Sequence, residues 1–448
     1  MRVLHVSLGL PPLRTGGMTR YCCELMEAQA AAGDDVSLLY PGRSLPGRMH
    51  IRHGSWRGIA TYEVVNPLPV PLTYGVAEPN AFDVPCMNAK AYRVFLDDVR
   101  PEVIHVHSFQ GVHREFFETA RNAGVPIVFT THDYYPMCPR CTLITSWGEA
   151  CVGGASPEAC AACNLGAGMT ARRSCLMQSG AYARLKGSAL VRAVGSCAKR
   201  SMTVEVSDGS GRPEPSKDDV VAYGRLLSYN RDVLSLFNLL LANSTPTEKM
   251  YRRWFPNARY VLVPITHAGL RHVEARSVDE VGGPLNLGYY GGRKEYKGFG
   301  TLVAACRELV CQGIGLTLHL YGDDYGELPE GLHCVDHGRI APEAVCGTLR
   351  EHDVVVVPSK YRETFGFAVL EALCAGVPAV CSDVVGARDL VDPGCIFPAG
   401  DVRALAGVLA RIAGGWQPRV EIPAGYPLGM DEQVECLRSA YREASVHA

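Results

Sequence analysis

In the run "DVVVVPSKYRETFGFAVLEALCAGVPAVCSD", Glu363 and Glu371 stand eight positions apart on either side of Phe365–Gly366. An apolar strand-like run ends at Pro358–Ser359, a short loop follows, and a helix is predicted to start near Phe365–Gly366. A helix N-terminus presents unpaired amides and the positive end of its dipole, which suits a diphosphate. Gly366 allows close backbone approach to such a ligand. A carboxylate beside an anionic group needs another task, and accepting hydrogen bonds from sugar hydroxyls is one. The plainer readings are helix N-terminal charge for Glu363 and a solvated helix face for Glu371.

Two cations sit in "YYGGRKEYKGFG", as Gly292-Arg293 and Lys297-Gly298, directly after a strand-like run. Cations at a glycine-rich strand end can neutralise a leaving group that gains negative charge in the transition state. A solvated loop is the bland alternative. In the first half of the chain, Gly16 and Gly17 form a closely approachable loop before the first helix, without the G-x-G-x-x-G spacing of a dinucleotide site. His132 closes the strand-like "VPIVFTTH", where it could hold a sugar hydroxyl. Asp133 beside it either orients it or caps the next turn. His107 ends "VIHVHS" and could line the same site, with His105 two residues earlier on the same strand face.

Cys138, Cys141, Cys151, Cys160 and Cys163 fall within 26 residues. Two C-x2-C pairs about 20 residues apart suit zinc or an iron–sulfur cluster. Tetrahedral zinc takes four ligands and five thiols are present. A zinc held by four thiolates is coordinatively closed and would fold a loop that has little core of its own. Iron–sulfur and buried free thiols compete with this reading. Cys22, Cys23, Cys306, Cys311, Cys346, Cys374 and Cys436 lie in apolar helical patterns and read as core.

These residues need elements to position them. "RVLHVSLG", "DVSLLYPG", "IATYEVVN", "EVIHVHS" and "VPIVFTTHD" read as strands, alternating with helix-like "TRYCCELMEAQAAAG" and "MNAKAYRVFLDDVR". "LLLANS" and "YVLVPI" read as further strands around the helix "TPTEKMYRRWF", capped by Ser244 or Thr245. Residues 207–219 read as an exposed loop and residues 266–284 as a linker. The alternation then restarts with "LNLGYYGG", "GLTLHLYGDD", "DVVVVPS" and "VPAVCSD" as strands. The expectation is an α/β protein of two Rossmann-like domains with parallel sheets facing across a cleft. The domains are expected at 1–265, with the Cys-rich insert at 138–163, and at 285–415. A helix over 430–446 is expected to pack back on the first domain.

The Glu363 segment resembles the retaining glycosyltransferases of family four, which have the GT-B fold. The resemblance rests on Glu363, Phe365–Gly366, Glu371 and Ala375-Gly376-Val377-Pro378, and on the preceding strand with its Pro-Ser. It implies that Glu371 binds donor ribose hydroxyls, that Glu363 contacts the transferred sugar, and that amides near Phe365–Gly366 hold phosphate. Gly292-Arg293 and Lys297-Gly298 match the family's phosphate-binding cations. The Gly16–Gly17 loop is implied to touch donor phosphate or acceptor, and His132 to face the transferred sugar. "LHLYGDD" is similar to the strand that ends near the nucleobase. Val385-Gly386 and Asp389 depart from the family's Gly-Gly and Glu. Members with a similar insert imply Cys138, Cys151, Cys160 and Cys163 as metal ligands and Cys141 as the spare. The alternative quartet takes Cys141 in place of Cys151.

The implied reaction is metal-independent front-face transfer, in which the leaving phosphate serves as base. Double displacement would need a carboxylate nucleophile at the anomeric carbon, and no residue clearly fits. The expected partners are a nucleotide-diphosphate sugar and a glycan, lipid-linked or small-molecule acceptor. A nucleotide-binding, non-catalytic or redox protein organised by the cysteines is the alternative. The 448 residues are 47% hydrophobic and 20% charged, with net charge -2, so no broad basic field draws nucleic acid or anionic lipid. No run reaches the ~18 apolar residues of a spanning helix, and no secretory signal is visible. The expectation is a cytoplasmic protein, with room for peripheral contact at the inner membrane face.

Overall fold

The computed structural model describes residues 1–151, 156–165, 168–185, 214–270, 283–322, 325–341 and 344–446. The chain divides into two compact units. The first contains residues 1–242, 248–263 and 430–448, and the second contains residues 243–247 and 264–429.

The first unit is built on strands β1 (Arg2–Val6), β2 (Asp35–Pro41), β3 (His50–Trp56), β4 (Ile59–Val65), β5 (Val103–Val106), β6 (Ile127–Thr130), β7 (Leu239–Ala242) and β8 (Tyr260–Leu262). Their order is β3-β4-β2-β1-β5-β6-β7-β8. Every neighbouring pair is parallel except β3 and β4. Strands β5, β6 and β7 are buried throughout, as a sheet covered on both faces requires. β3 is an addition to the strands expected from sequence. Arg57 and Gly58 both take positive φ (48° and 83°), the turn geometry that closes a tight antiparallel hairpin.

The helices of this unit are α1 (Gly17–Ala31), α2 (Lys90–Val99), α3 (Arg114–Asn122), α4 (Pro157–Asn164), α5 (Ala171–Met177), α6 (Gly180–Leu185), α7 (Lys217–Ser235), and α8 (Thr245–Trp254), which spans the unit boundary. α7 starts on a capping box between Ser216 and Asp219, so the end of the predicted loop at 207–219 is helix. Residues 186–213 lie outside the described residues.

The second unit carries β9 (Leu285–Tyr289), β10 (Leu316–Leu320), β11 (Cys334–Asp336), β12 (Val354–Val357), β13 (Ala379–Ser382) and β14 (Ile396–Phe397), all parallel in the order β11-β10-β9-β12-β13-β14. Its helices are α9 (Phe299–Cys311), α10 (Val345–Leu349), α11 (Phe367–Cys374) and α12 (Val402–Ala413). Thr266 and His267, read from sequence as linker, are buried in this unit, and the Thr266 hydroxyl donates to the Leu428 carbonyl at 2.9 Å. Residues 271–282 of that stretch lie outside the described residues.

The last helix, α13 (Met430–Ser445), belongs to the first unit. It buries Gln433, Val434, Leu437, Ala440, Tyr441 and Ala444, one face at helical spacing, against α1 and β6. Each fully buried apolar side chain contributes roughly 1.5–3 kcal/mol. Arg438 pins the helix further, pairing with Asp34 at 3.1 Å and donating to the Ala32 carbonyl at 2.9 Å. Cys22, Cys23, Cys306, Cys346 and Cys374 are buried as expected for core thiols, whereas Cys311 is exposed and Cys436 half-buried. Among the described residues no helix is long and apolar enough to cross a membrane.

Candidate active site

In the second unit, α11 starts at Phe367 on Gly366, whose φ is 100°. A side chain at Gly366 would be strained there and would press on Val385. The loop before it carries Glu363, whose backbone N–H donates to the Val384 carbonyl at 3.1 Å. The Glu363 carboxylate accepts from the Lys297 ammonium at 3.0 Å and from the Ser359 hydroxyl. Lys297 also donates to the Tyr361 hydroxyl at 3.0 Å and lies over that ring, 4.8 Å from its centre. Burial opposes the charge on Lys297, but Glu363 and Tyr361 outweigh it and hold its pKa above the ordinary lysine range. Lys297 is therefore a fixed cation on a short leash. Gly298 follows it in the left-handed region, and any side chain there would run into the Pro358 carbonyl, so the glycine lets the lysine loop close against the end of β12.

Glu371 lies on α11 with its carboxylate 3.0 Å from His267 Nε2, and His267 stacks edge-on against Phe367 at 5.2 Å. Arg293 takes a different direction. It is exposed, and its guanidinium donates to the carbonyls of Tyr325 at 3.0 Å and Glu327 at 3.3 Å. The two predicted cations thus do different things: Lys297 meets Glu363, and Arg293 reaches the 325–327 loop. Asp389 is exposed. Asp323 and Asp324 lie outside the described residues.

In the first unit, His132 follows β6 and keeps a partly exposed edge. Its Nε2 lies 3.1 Å from Nδ1 of His107, and the Tyr21 ring of α1 packs on it at 4.9 Å. Burial lowers its pKa to about 3, so the ring is neutral at physiological pH. Gly16 caps α1 with φ 124°, and Gly17 begins the helix; a Cβ at either would meet no neighbouring atom, so this loop is open. Asp133 accepts from the Tyr135 amide at 2.8 Å and so caps the turn rather than orienting His132. Burial raises its pKa to about 6. His107 differs from the expectation that it lines a ligand site. It is fully buried, because β5 is a central strand covered on both faces, and it stands behind His132.

Cys160 and Cys163 lie one turn apart on α4, which Ser156 caps. Cys160 feels the charges of Cys138, Cys151 and Cys163, Cys138 feels those of Cys163 and Cys151, and Cys141 feels that of Cys138. Cys141 is turned away. Its thiol donates to the Leu72 carbonyl at 2.9 Å and accepts from Gln110 at 3.3 Å. Burial pushes Cys138 up to about 11 and raises Cys163 and Cys160 too. Among the described residues, only His5, His105 and His107 bring three ligating atoms within 4.8 Å of one another, and no three of the insert's thiols do so.

Residues 284–414 match the model described as "Glycosyl transferases group 1", and residues 16–165 match the "Glycosyl transferase 4-like domain". The chain belongs to the family-four glycosyltransferases. This glycosyltransferase is 28% identical over 216 residues to the amylovoran biosynthesis glycosyltransferase AmsK of Erwinia amylovora, a match covering 43% of this chain and 50% of that protein. It is 28% identical over 162 residues to a glycogen synthase of Yersinia enterocolitica, covering 30% and 34% of the two chains. The match thus spans half or less of the length of these relatives. Among solved structures the fold is shared with sucrose-phosphate synthase from Thermosynechococcus elongatus (TM-score 0.53, 17% identity, 99% of this chain and 96% of that one). It is also shared with Anabaena Alr3699/HepE in complex with UDP (TM-score 0.50, 14% identity, 100% and 95%). The fold of the glycosyltransferase is GT-B.

Several contact residues of this glycosyltransferase escaped the sequence reading. Tyr361 was visible only as a loop residue, and Ser359 only as the end of a strand in the Pro-Ser of the motif, with no sign that its hydroxyl donates to Glu363. His267 lay in a stretch read as linker. His5 carried a usable signal, an imidazole inside the buried run "RVLHV". Gln29 and Tyr441, both fully buried, carried none.

Proposed function

We propose that the glycosyltransferase moves a sugar from a nucleotide-diphosphate sugar to a glycan or lipid-linked acceptor, with retention at the anomeric carbon and without a catalytic metal. The observation that carries this reading is the Lys297–Glu363 pair, set before the N-terminus of α11 with Ser359 and Tyr361 around it. An ammonium held charged at that place can neutralise a departing diphosphate. Glu363 holds the ammonium and reaches the transferred sugar. Glu371 accepts from ribose hydroxyls, and the amides near Phe365–Gly366 receive phosphate. Arg293, which reaches the Tyr325 and Glu327 carbonyls, is a further candidate for phosphate. In the first unit, the open Gly16–Gly17 loop is assigned to donor phosphate or acceptor and His132 to a sugar hydroxyl. In the transfer, the acceptor oxygen bonds to the anomeric carbon as the bond to the diphosphate breaks. The acceptor proton passes to the leaving phosphate oxygen. The Anabaena relative of the fold was solved with UDP, which supports a nucleoside-diphosphate donor.

The four thiols Cys138, Cys151, Cys160 and Cys163 fit a thiolate-bound metal that folds the insert, and zinc suits them best. Buried thiols with raised pKa values are poor nucleophiles, and a metal is what would stabilise them as thiolates. An iron–sulfur cluster would give the same quartet a visible absorbance. Peripheral contact at the inner membrane face belongs to the lipid-linked version of this reading.

The test is turnover across a panel of nucleotide sugars, with the anomeric configuration of the product read by NMR. Glu363→Gln is expected to lower kcat, and Glu371→Ala to raise the donor KM. Equal losses in both constants for both variants would defeat the division of roles, and neither binding nor turnover of any nucleotide sugar would defeat the whole reading.

A further inference from the structure

His132 is the partly exposed end of a chain of hydrogen bonds through the first unit's core. Its Nε2 lies 3.1 Å from His107 Nδ1. His107 Nε2 lies 3.0 Å from His5 Nδ1, and His5 Nε2 lies 2.8 Å from Gln29 Oε1. Gln29 turns its amide nitrogen to the Tyr441 hydroxyl at 3.4 Å. That hydroxyl lies 2.7 Å from His105 Nδ1, and His105 Nε2 lies 2.7 Å from the Thr130 hydroxyl. His5, Gln29, His105, His107 and Tyr441 are all fully buried.

The polarity of this chain follows from one group. The Gln29 carbonyl oxygen can only accept, so His5 carries its proton on Nε2 and its Nδ1 is an acceptor. His107 must then donate from Nε2 and accept at Nδ1. His132 must donate from Nε2, and its Nδ1 is the nitrogen with the lone pair. On the other branch the Gln29 amide can only donate, so Tyr441 accepts from it and donates to His105 Nδ1. His105 then donates from Nε2 to Thr130. Six bonds run in one direction, with every imidazole neutral and both ring nitrogens of His5, His105 and His107 used. Burial lowers the pKa of His5 to about 4 and holds those of His105 and His107 well below the ordinary histidine value, which agrees with neutral rings.

We propose that Gln29 and Tyr441 are positioning residues that set the tautomer of His132, so that it meets the transferred sugar as a hydrogen-bond acceptor at Nδ1. The proposal rests on the sugar-binding role given above to His132. It also gives α13 a functional reason to pack on α1, since Tyr441 is the group on that helix that orients the Gln29 amide. One ring nitrogen from each of His5, His105 and His107 lies within 4.8 Å of the other two, a spacing that would also suit a cation. All six ring nitrogens of these three histidines are already engaged by relay partners, so the cluster reads as a relay and not as a metal seat.

The experiment is nitrogen NMR of the full chain with labelled histidine, which distinguishes protonated from bare ring nitrogens, on wild type, Tyr441→Phe and Gln29→Met. The expected wild-type result is a single neutral tautomer for His132, protonated on Nε2. Tyr441→Phe removes the hydroxyl that holds the amide, and a mixture of His132 tautomers is expected. With it, kcat/KM for the donor falls roughly tenfold, the size of one lost hydrogen bond to a reacting group. Gln29→Met should give the same mixture, and Tyr441→Phe keeps the test alive should the Gln29 variant not fold. A His132 protonated on Nδ1, tautomers unchanged in both variants, or ring nitrogens coordinated to a metal would overturn the proposal. Turnover is read separately: an intact relay in a protein that transfers no sugar would count against the functional reading and leave the relay standing.

Discussion

The two candidate sites, one in each unit, handle polar side chains in opposite ways. The site of the second unit gathers charge: Lys297 is held ionised against Glu363, and Glu371 lies 3.0 Å from His267. The site of the first unit gathers neutral rings: His5, His105, His107 and His132 are all kept below their ordinary pKa by burial. Fixed charge suits a site for phosphate, where charge must be matched. Neutral, directional hydrogen bonds suit hydroxyls, where charge would add desolvation cost without selecting an orientation. A lysine can be buried only with its counter-ion, whereas a histidine can be buried by giving up its proton.

The contrast can be broken most directly at Lys297. Lys297→Met removes the cation and leaves Glu363 with only its hydroxyl partner, and kcat is expected to fall by about 10²–10³, the scale for one lost transition-state contact. A near-normal kcat would show that the charge is structural. Acid should expose the other pole. Unfolded histidine takes up a proton below its ordinary pKa of 6.5, but His5 does so in the fold only near 4 and His132 near 3. Between those values the unfolded state binds more protons, so stability falls as pH drops from 6.5 toward 4, by up to about 1.4 kcal/mol per pH unit for each such histidine. Denaturant unfolding at stepped pH checks this, and a flat profile would mean that the rings are not neutral.

Stripping metal is expected to act on the insert alone. A chelator or Cys160→Ser should release about one zinc per chain and lower Tm, while donor binding by the second unit persists. Glu371→Ala should raise the donor KM about tenfold with little change in kcat, as expected for lost uniform binding. The smallest effect is predicted for Cys141→Ser, which exchanges one buried donor for another and should leave metal content unchanged. Loss of the metal in that variant would move Cys141 into the ligand set.

Much of the second unit was legible from sequence because its chemistry is local. Glu363, Phe365, Gly366 and Glu371 share one loop and one helix, and the glycine conformations that they need are written in the residues themselves. The first unit was less legible. His132 announced itself at a strand end, but its partners come from β1, β5, α1 and α13, separated by up to hundreds of positions. A buried imidazole in a strand is visible in sequence, whereas the group that fixes its tautomer is not. The cysteines show the same limit. Spacing offered five thiols, the family resemblance implied one quartet of them with a second as the alternative, and the turn at Cys141, with φ 62°, points that thiol to Leu72.

The sequence by itself determined the alternation of strands and helices, a helix start near Phe365–Gly366, and the glycines at 298 and 366 that only that residue type fits. These follow from local sterics and hydrophobic period, which need no distant partner. Tertiary structure alone decided that Lys297 serves Glu363 while Arg293 does not, that the Cys141 thiol donates to the Leu72 carbonyl, and that Tyr441 reaches Gln29. Those are choices among chemically equal candidates, and they are made by which side chains the packed sheets and helices bring within about 3 Å of each other.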